Sequence, residues 1–166
     1  MAFYQVGSGI GVDLNNTSTS QGFGLGATIE GSDGTIWQYV TASTSVSQYA
    51  VVAINSSGTM AMASAADAIA GLSLAVAQSA FAANDYGWVP IHATGGDQNG
   101  IKVLCSGTMS GGNALYVASE TGKISIQTSG TSTLKGITVF SASGSDVSTV
   151  TAMACVITWP KCRSFG

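Results

Sequence analysis

Charge is what this sequence has least of. Five Lys and Arg and eight Asp and Glu make up 8% of 166 residues, with a net charge of −3, where an ordinary soluble domain carries about a quarter. Disorder is excluded as the cause, because disordered chains are poor in apolar residues and this one is 45% hydrophobic. The basic residues Lys102, Lys123, Lys135, Lys161 and Arg163 are scattered through the second half. They form no stripe to neutralise phosphates, so no nucleic-acid partner is expected. Long apolar runs are lacking too: nothing approaches the ~20 residues of a spanning helix. The longest candidate, Ala61 to Ala83, is interrupted by Ser64, Asp67, Ser73, Gln78 and Ser79, and no membrane partner is expected. The opening Met1-Ala2-Phe3-Tyr4-Gln5 lacks the basic and apolar regions of a secretory signal. Synthesis and assembly in a cytosol is the expectation.

Catalytic residue types are sparse. His92 is the single histidine, and it falls at a strand end with no motif around it. A nucleophilic triad needs a base, an orienting acid and a nucleophile converging in space. Cys105 is the least unsuitable partner for His92, yet Val103-Leu104-Cys105-Ser106-Gly107 is no nucleophile motif. The acids stand one at a time, and Asp85 and Asp97 sit in turn contexts where Asp serves backbone geometry. Clustered ligands for a metal are absent from the pattern. Cys105, Cys155 and Cys162 make an odd, unclustered set that reads as reduced buried thiols. Gly7-Ser8-Gly9-Ile10-Gly11 lacks the flanking strand and helix of a nucleotide-binding loop. No enzyme, cofactor or metal is expected.

What is present is a strand-and-turn pattern. Short Val, Ile, Thr and Tyr runs are separated by Gly, Ser, Asn and Asp, with 22 glycines in all. Strands are expected over Ile36–Ala42, Ala50–Asn55, Gly71–Gln78, Tyr86–Ala93, Ile101–Ser106, Ala114–Ala118, Lys123–Thr128, Gly136–Ser141 and Val150–Trp159. The class is all-β, an antiparallel sandwich or small barrels, with one short helix expected around Ser64 to Ala70. Residues 1–30 read as an extended arm, because Gln5 to Gly26 is rich in glycine and holds the polar run Asn15 to Gln21. Residues 31–166 are the β-rich body, and removal of residues 1–22 is expected to leave it folded.

The body repeats itself, over about 45–95 and 110–162. Tyr49-Ala50-Val51-Val52-Ala53-Ile54 followed by Gly58 matches Asn113-Ala114-Leu115-Tyr116-Val117-Ala118 followed by Gly122, 64 positions on. Gly71-Leu72-Ser73-Leu74 matches Gly136-Ile137-Thr138-Val139 at an offset of 65. Two pseudo-symmetric halves follow.

Low charge points to a surface covered by neighbours, since interface cores are charge-depleted and enriched in Tyr and Trp. Trp37 with Tyr39, and Tyr86 with Trp88, alternate in their strands and so share a face. Phe3 and Tyr4 at the arm tip and Trp159 complete the set of expected interface residues.

The order of short motifs resembles a known group. Phe23-Gly24-Leu25-Gly26-Ala27-Thr28 precedes Asp33-Gly34-Thr35-Ile36-Trp37-Gln38-Tyr39-Val40. Gln48-Tyr49-Ala50-Val51, Asn84-Asp85-Tyr86-Gly87-Trp88-Val89 and Val156-Ile157-Thr158-Trp159-Pro160-Lys161 follow. Over roughly residues 23–161 this succession resembles the capsid decoration, or cement, proteins and other head-associated structural proteins of tailed phages. The resemblance implies a virion protein on the outer head surface, often a homotrimer, contacting the major capsid protein and bracing the shell. The scarcity of arginine departs from the pattern and leaves a tail- or fibre-associated adhesion module as the alternative. That alternative would use Asp85, Tyr86 and Trp88 as a sugar-stacking face.

Overall fold

A computed structural model gives the fold, describing residues 3–6, 10–31, 33–64, 72–93, 101–106, 115–118, 121–126, 132–139 and 151–164. Every regular element among them is a β-strand. The strands are β1 (Phe3–Val6), β2 (Ile10–Asp13), β3 (Thr17–Ser18), β4 (Thr28–Glu30), β5 (Ile36–Ala42), β6 (Val51–Ile54) and β7 (Thr59–Met62), then β8 (Ser73–Val76), β9 (Tyr86–Ala93), β10 (Lys102–Cys105), β11 (Leu115–Val117), β12 (Ile124–Ser125), β13 (Ser132–Val139) and β14 (Thr151–Ser164). The helix expected around Ser64 to Ala70 falls on residues 65–70, outside the described residues.

Twelve strands form one sheet, and β1 and β2 pair separately as a hairpin. Strands β5 to β9 and β10 to β14 are wired alike. In the first set β6 pairs antiparallel with both β7 and β8, β5 pairs parallel with β7, and β5 pairs antiparallel with β9. In the second, β11 pairs antiparallel with both β12 and β13, β10 parallel with β12, and β10 antiparallel with β14. The duplication visible in the sequence is therefore a duplication of topology, and it starts one strand earlier, at β5 and β10. The matched turns are built alike: Gly58 and Gly122 sit at φ 79 and 78, a left-handed conformation that glycine adopts without a Cβ clash. The parallel pairs β5·β7 and β10·β12 depart from the purely antiparallel expectation.

Strand β14 binds the two units together. One edge carries β13, through seven register pairs with a bulge at Gly136. The other edge carries β10 from Thr151 to Ala154, β9 at Ile157 and Thr158, and β8 at Lys161. The second unit thus closes on itself through β10, β12, β11, β13 and β14. The first closes only by borrowing β14 between β8 and β9. Strands β9 and β10 lie end to end along β14, since the Cys155 N–H donates to the Ile101 carbonyl at 3.1 Å between their two ladders. Both prolines occur at breaks of register, where a missing N–H is tolerated. Pro90 lies at the β5–β9 irregularity and Pro160 opposite Gly136.

Sheets closed and packed this way bury both faces, which explains unbroken apolar runs such as Val51-Val52-Ala53-Ile54. One cluster gathers Val40, Ala42, Val52, Ile54, Met60, Ala75, Val89 and Ile91, one face of all five strands of the first unit. The larger cluster joins the opposite face (Trp37, Tyr39, Val51, Leu74, Val76, Trp88) to the interior of the second unit (Val103, Cys105, Ile124, Leu134, Cys155, Ile157).

Much of the expected arm is part of the body. Leu14 is buried at 1% exposure, β3 pairs with β9, and β4 pairs with β5. The Ser79 hydroxyl donates to the Asn15 carbonyl at 2.6 Å. Removal of residues 1–22 would strip β1, β2, β3 and the core residue Leu14, so the truncated body would lose packing as well as an arm.

Candidate functional site

Between β3 and β4, residues 19–27 cross the aromatic residues of β5 and β9 as a strap. The segment Thr19-Ser20-Gln21-Gly22-Phe23-Gly24-Leu25-Gly26-Ala27 has three glycines and no charge. Residues 19–26 are exposed. Phe23 and Leu25 stand at 43% and 36% exposure, the exposed large hydrophobics among the described residues.

Beneath the strap, β5 and β9 pair Tyr39 with Trp88 and Thr41 with Tyr86. Antiparallel partners on one face bring their side chains together, so the rings form a cluster. Tyr39 and Trp88 meet edge to face at 5.1 Å, and Tyr39 stacks on Tyr86 at 6.4 Å. Phe23 closes the group from above, edge-on to Tyr39 at 5.3 Å and to Trp88 at 5.2 Å. The Gly22 N–H donates to the Tyr39 Oη at 2.9 Å. Gly26 N–H donates to the Tyr39 carbonyl, and Tyr39 N–H to that of Ala27. Leu25 then forms one wall of an open groove of about 380 Å³, with Gln38, Ile54, Asn55 and Leu72.

Several expected interface residues lie elsewhere. Trp37, Tyr39 and Trp88 are 2%, 4% and 5% exposed, so they are core residues and offer no open face. Alternation put each pair on one face, but that face is inward. Tyr86 is half-buried at the cluster's edge. The side chains of Phe3, Tyr4 and Trp159 lie outside the described residues. The sugar-stacking face is likewise closed. Trp88 is buried, and the Asp85 carboxylate accepts from the Ala82 N–H at 2.9 Å inside its own turn. Phe23 and Leu25 went unread as surface residues, although three glycines around two large apolar side chains mark a segment with no strand face to bury them.

The chemistry-bearing residues are dispersed. His92 sits on β9, half-buried, and its backbone pairs with Ile36 and Thr158. Cys105 and Cys155 lie inside the second unit, at 0% exposure. Burial pushes the Cys105 thiol up to about 12. Burial, aided by nearby Cys105, does the same to Cys155. Thiols held protonated in this way are poor nucleophiles. Among the described residues no three His, Cys, Asp or Glu side chains gather as a metal site, and no helix is long and apolar enough to cross a membrane.

None of the protein-family models, curated proteins or solved structures compared with this chain matches it.

Proposed function

We propose that this chain is a non-catalytic structural protein of a tailed-phage particle. In this reading it binds the outer head surface as a decoration protein, contacts the major capsid protein and self-associates, with a trimer favoured. The observation that carries the reading is the charge deficit, 8% of residues. A freely soluble monomer keeps a more charged surface for colloidal stability, whereas a surface shared among copies and shell needs little. Exposed Phe23 and Leu25 support it, since large apolar side chains on a surface suit burial against a partner. Many modest contacts repeated by symmetry then stabilise a shell through avidity. The adhesion alternative loses its main support with the burial of Trp88.

The test is cryo-electron microscopy of the intact particle. Density for this fold on the outer face of the head is the expected result. Density only at the tail, or a particle devoid of the chain, would overturn the reading.

A further inference from the structure

The strap is anchored differently from the strands on either side of it. Strand β3 is laddered to β9 and β4 to β5. Between them residues 19–25 reach the body through the Gly22 N–H on Tyr39 Oη, the Phe23 ring, and Leu25. Two more bonds, Gln21 Nε2 to the Phe23 carbonyl and Ala27 N–H to the Gly24 carbonyl, hold the strap to itself. A segment with its own internal bonds, few buried side chains and firm ends is the kind that opens as a local unit.

What it rests on is equally specific. A Cβ on Gly58 would stand 2.8 Å from the Leu25 Cβ and 3.2 Å from the Gly26 nitrogen. Bare backbone at the β6–β7 turn is therefore what lets the strap lie down. The duplicate turn carries Gly122 at the same φ, but a Cβ there would meet Ala50 and Met62 instead.

We infer that residues 19–26 form a strap that opens without unfolding of the sheet beneath, and that opening presents Tyr39 and Trp88 as an aromatic face. The inference stands apart from the particle reading and holds for the isolated chain.

Native-state hydrogen exchange of the full chain tests it. The amides of Gly22 and Gly26 are expected to exchange through a local opening insensitive to urea, while those of β5 and β9 exchange only with global unfolding. Gly58→Ala and Gly122→Ala impose the same backbone strain, yet only Gly58→Ala crowds the strap. It should speed the Gly22 and Gly26 amides by about tenfold over Gly122→Ala, compared at equal global stability. Strap amides with the urea dependence of β5 and β9 would overturn the inference. So would equal acceleration in the two variants.

Discussion

The side-chain amide of Gln78 pairs with the backbone of Lys102 in both directions. Its Nε2 donates to the Lys102 carbonyl at 3.0 Å, and its Oε1 accepts from the Lys102 N–H at 3.1 Å. A side chain after β8 thus acts as a short strand beside β10 and joins the first unit to the second. Gln78 is 7% exposed, and its own carbonyl accepts from Gln48 Nε2 at 2.9 Å. Nearby, Leu104 N–H donates to Tyr49, while Val51 and Gly122 bond across the same junction.

Replacing Gln78 by Leu keeps the volume but leaves the Lys102 backbone groups without these partners. A net hydrogen bond contributes about 0.5–1.5 kcal/mol, so urea denaturation should show a loss of about 1–3 kcal/mol for the part-buried pair. Gln48→Ala, at an exposed side chain, should cost less than about 1 kcal/mol. Equal losses for both variants would refute the clamp.

Truncation separates the N-terminal segments. Removing residues 1–11 takes away β1 and half of β2 but spares Leu14 and β3, and the melting temperature should fall only slightly. Removing residues 1–22 also empties the Leu14 site and frees the edge of β9. A deleted core leucine costs about 2–5 kcal/mol, so thermal unfolding should show a drop far larger than for the shorter deletion.

Two glycines of the same backbone conformation should respond differently to alanine. Gly34 has φ 78 and open space where a Cβ would go, so Gly34→Ala should cost only the left-handed strain of about 1–2 kcal/mol. Gly136 has φ 82, and a Cβ there would stand 2.5 Å from the Thr158 carbonyl oxygen and 2.9 Å from the Pro160 Cα. Its alanine variant must also push β14 away from β13, so chemical denaturation should register a markedly greater loss.

The thiols make stability fall at high pH. Cys105 and Cys155 have folded values raised from 9.0 to about 12. Above pH 9 the unfolded chain releases thiol protons that the folded chain retains, so unfolding becomes easier as pH rises. Their contribution is complete below about pH 9 and lost progressively toward about 12. Cys105→Ala with Cys155→Ala should flatten this part of the profile of stability against pH. In the native state at pH 8, iodoacetamide should leave both thiols unmodified until denaturant is added.

Residue pattern alone determined a good deal about this protein. Ile36–Ala42 and Tyr86–Ala93 are legible as strands to the residue, because β-branched and aromatic residues run between clear turn signals. The duplication is legible because the two turn glycines need the same left-handed backbone and sit the same distance from matched apolar runs. The short strands β3 and β4 escape such reading. Thr17–Ser18 and Thr28–Glu30 have no apolar periodicity, and they become strands only because β9 and β5 offer them open edges.

Tertiary structure decided the rest, and the reason lies in what a strand's two faces and two edges meet. Alternation places Trp37, Tyr39, Tyr86 and Trp88 on common faces, but it cannot say whether a face looks out or in. Closure of the sheet around β14 turned three of them inward. The same closure required β14 to serve β13 on one edge and three strands on the other, a division of hydrogen bonds that depends on which edges lie within reach. The strap's apolar residues came to the surface for the complementary reason: their segment crosses a sheet that was already full.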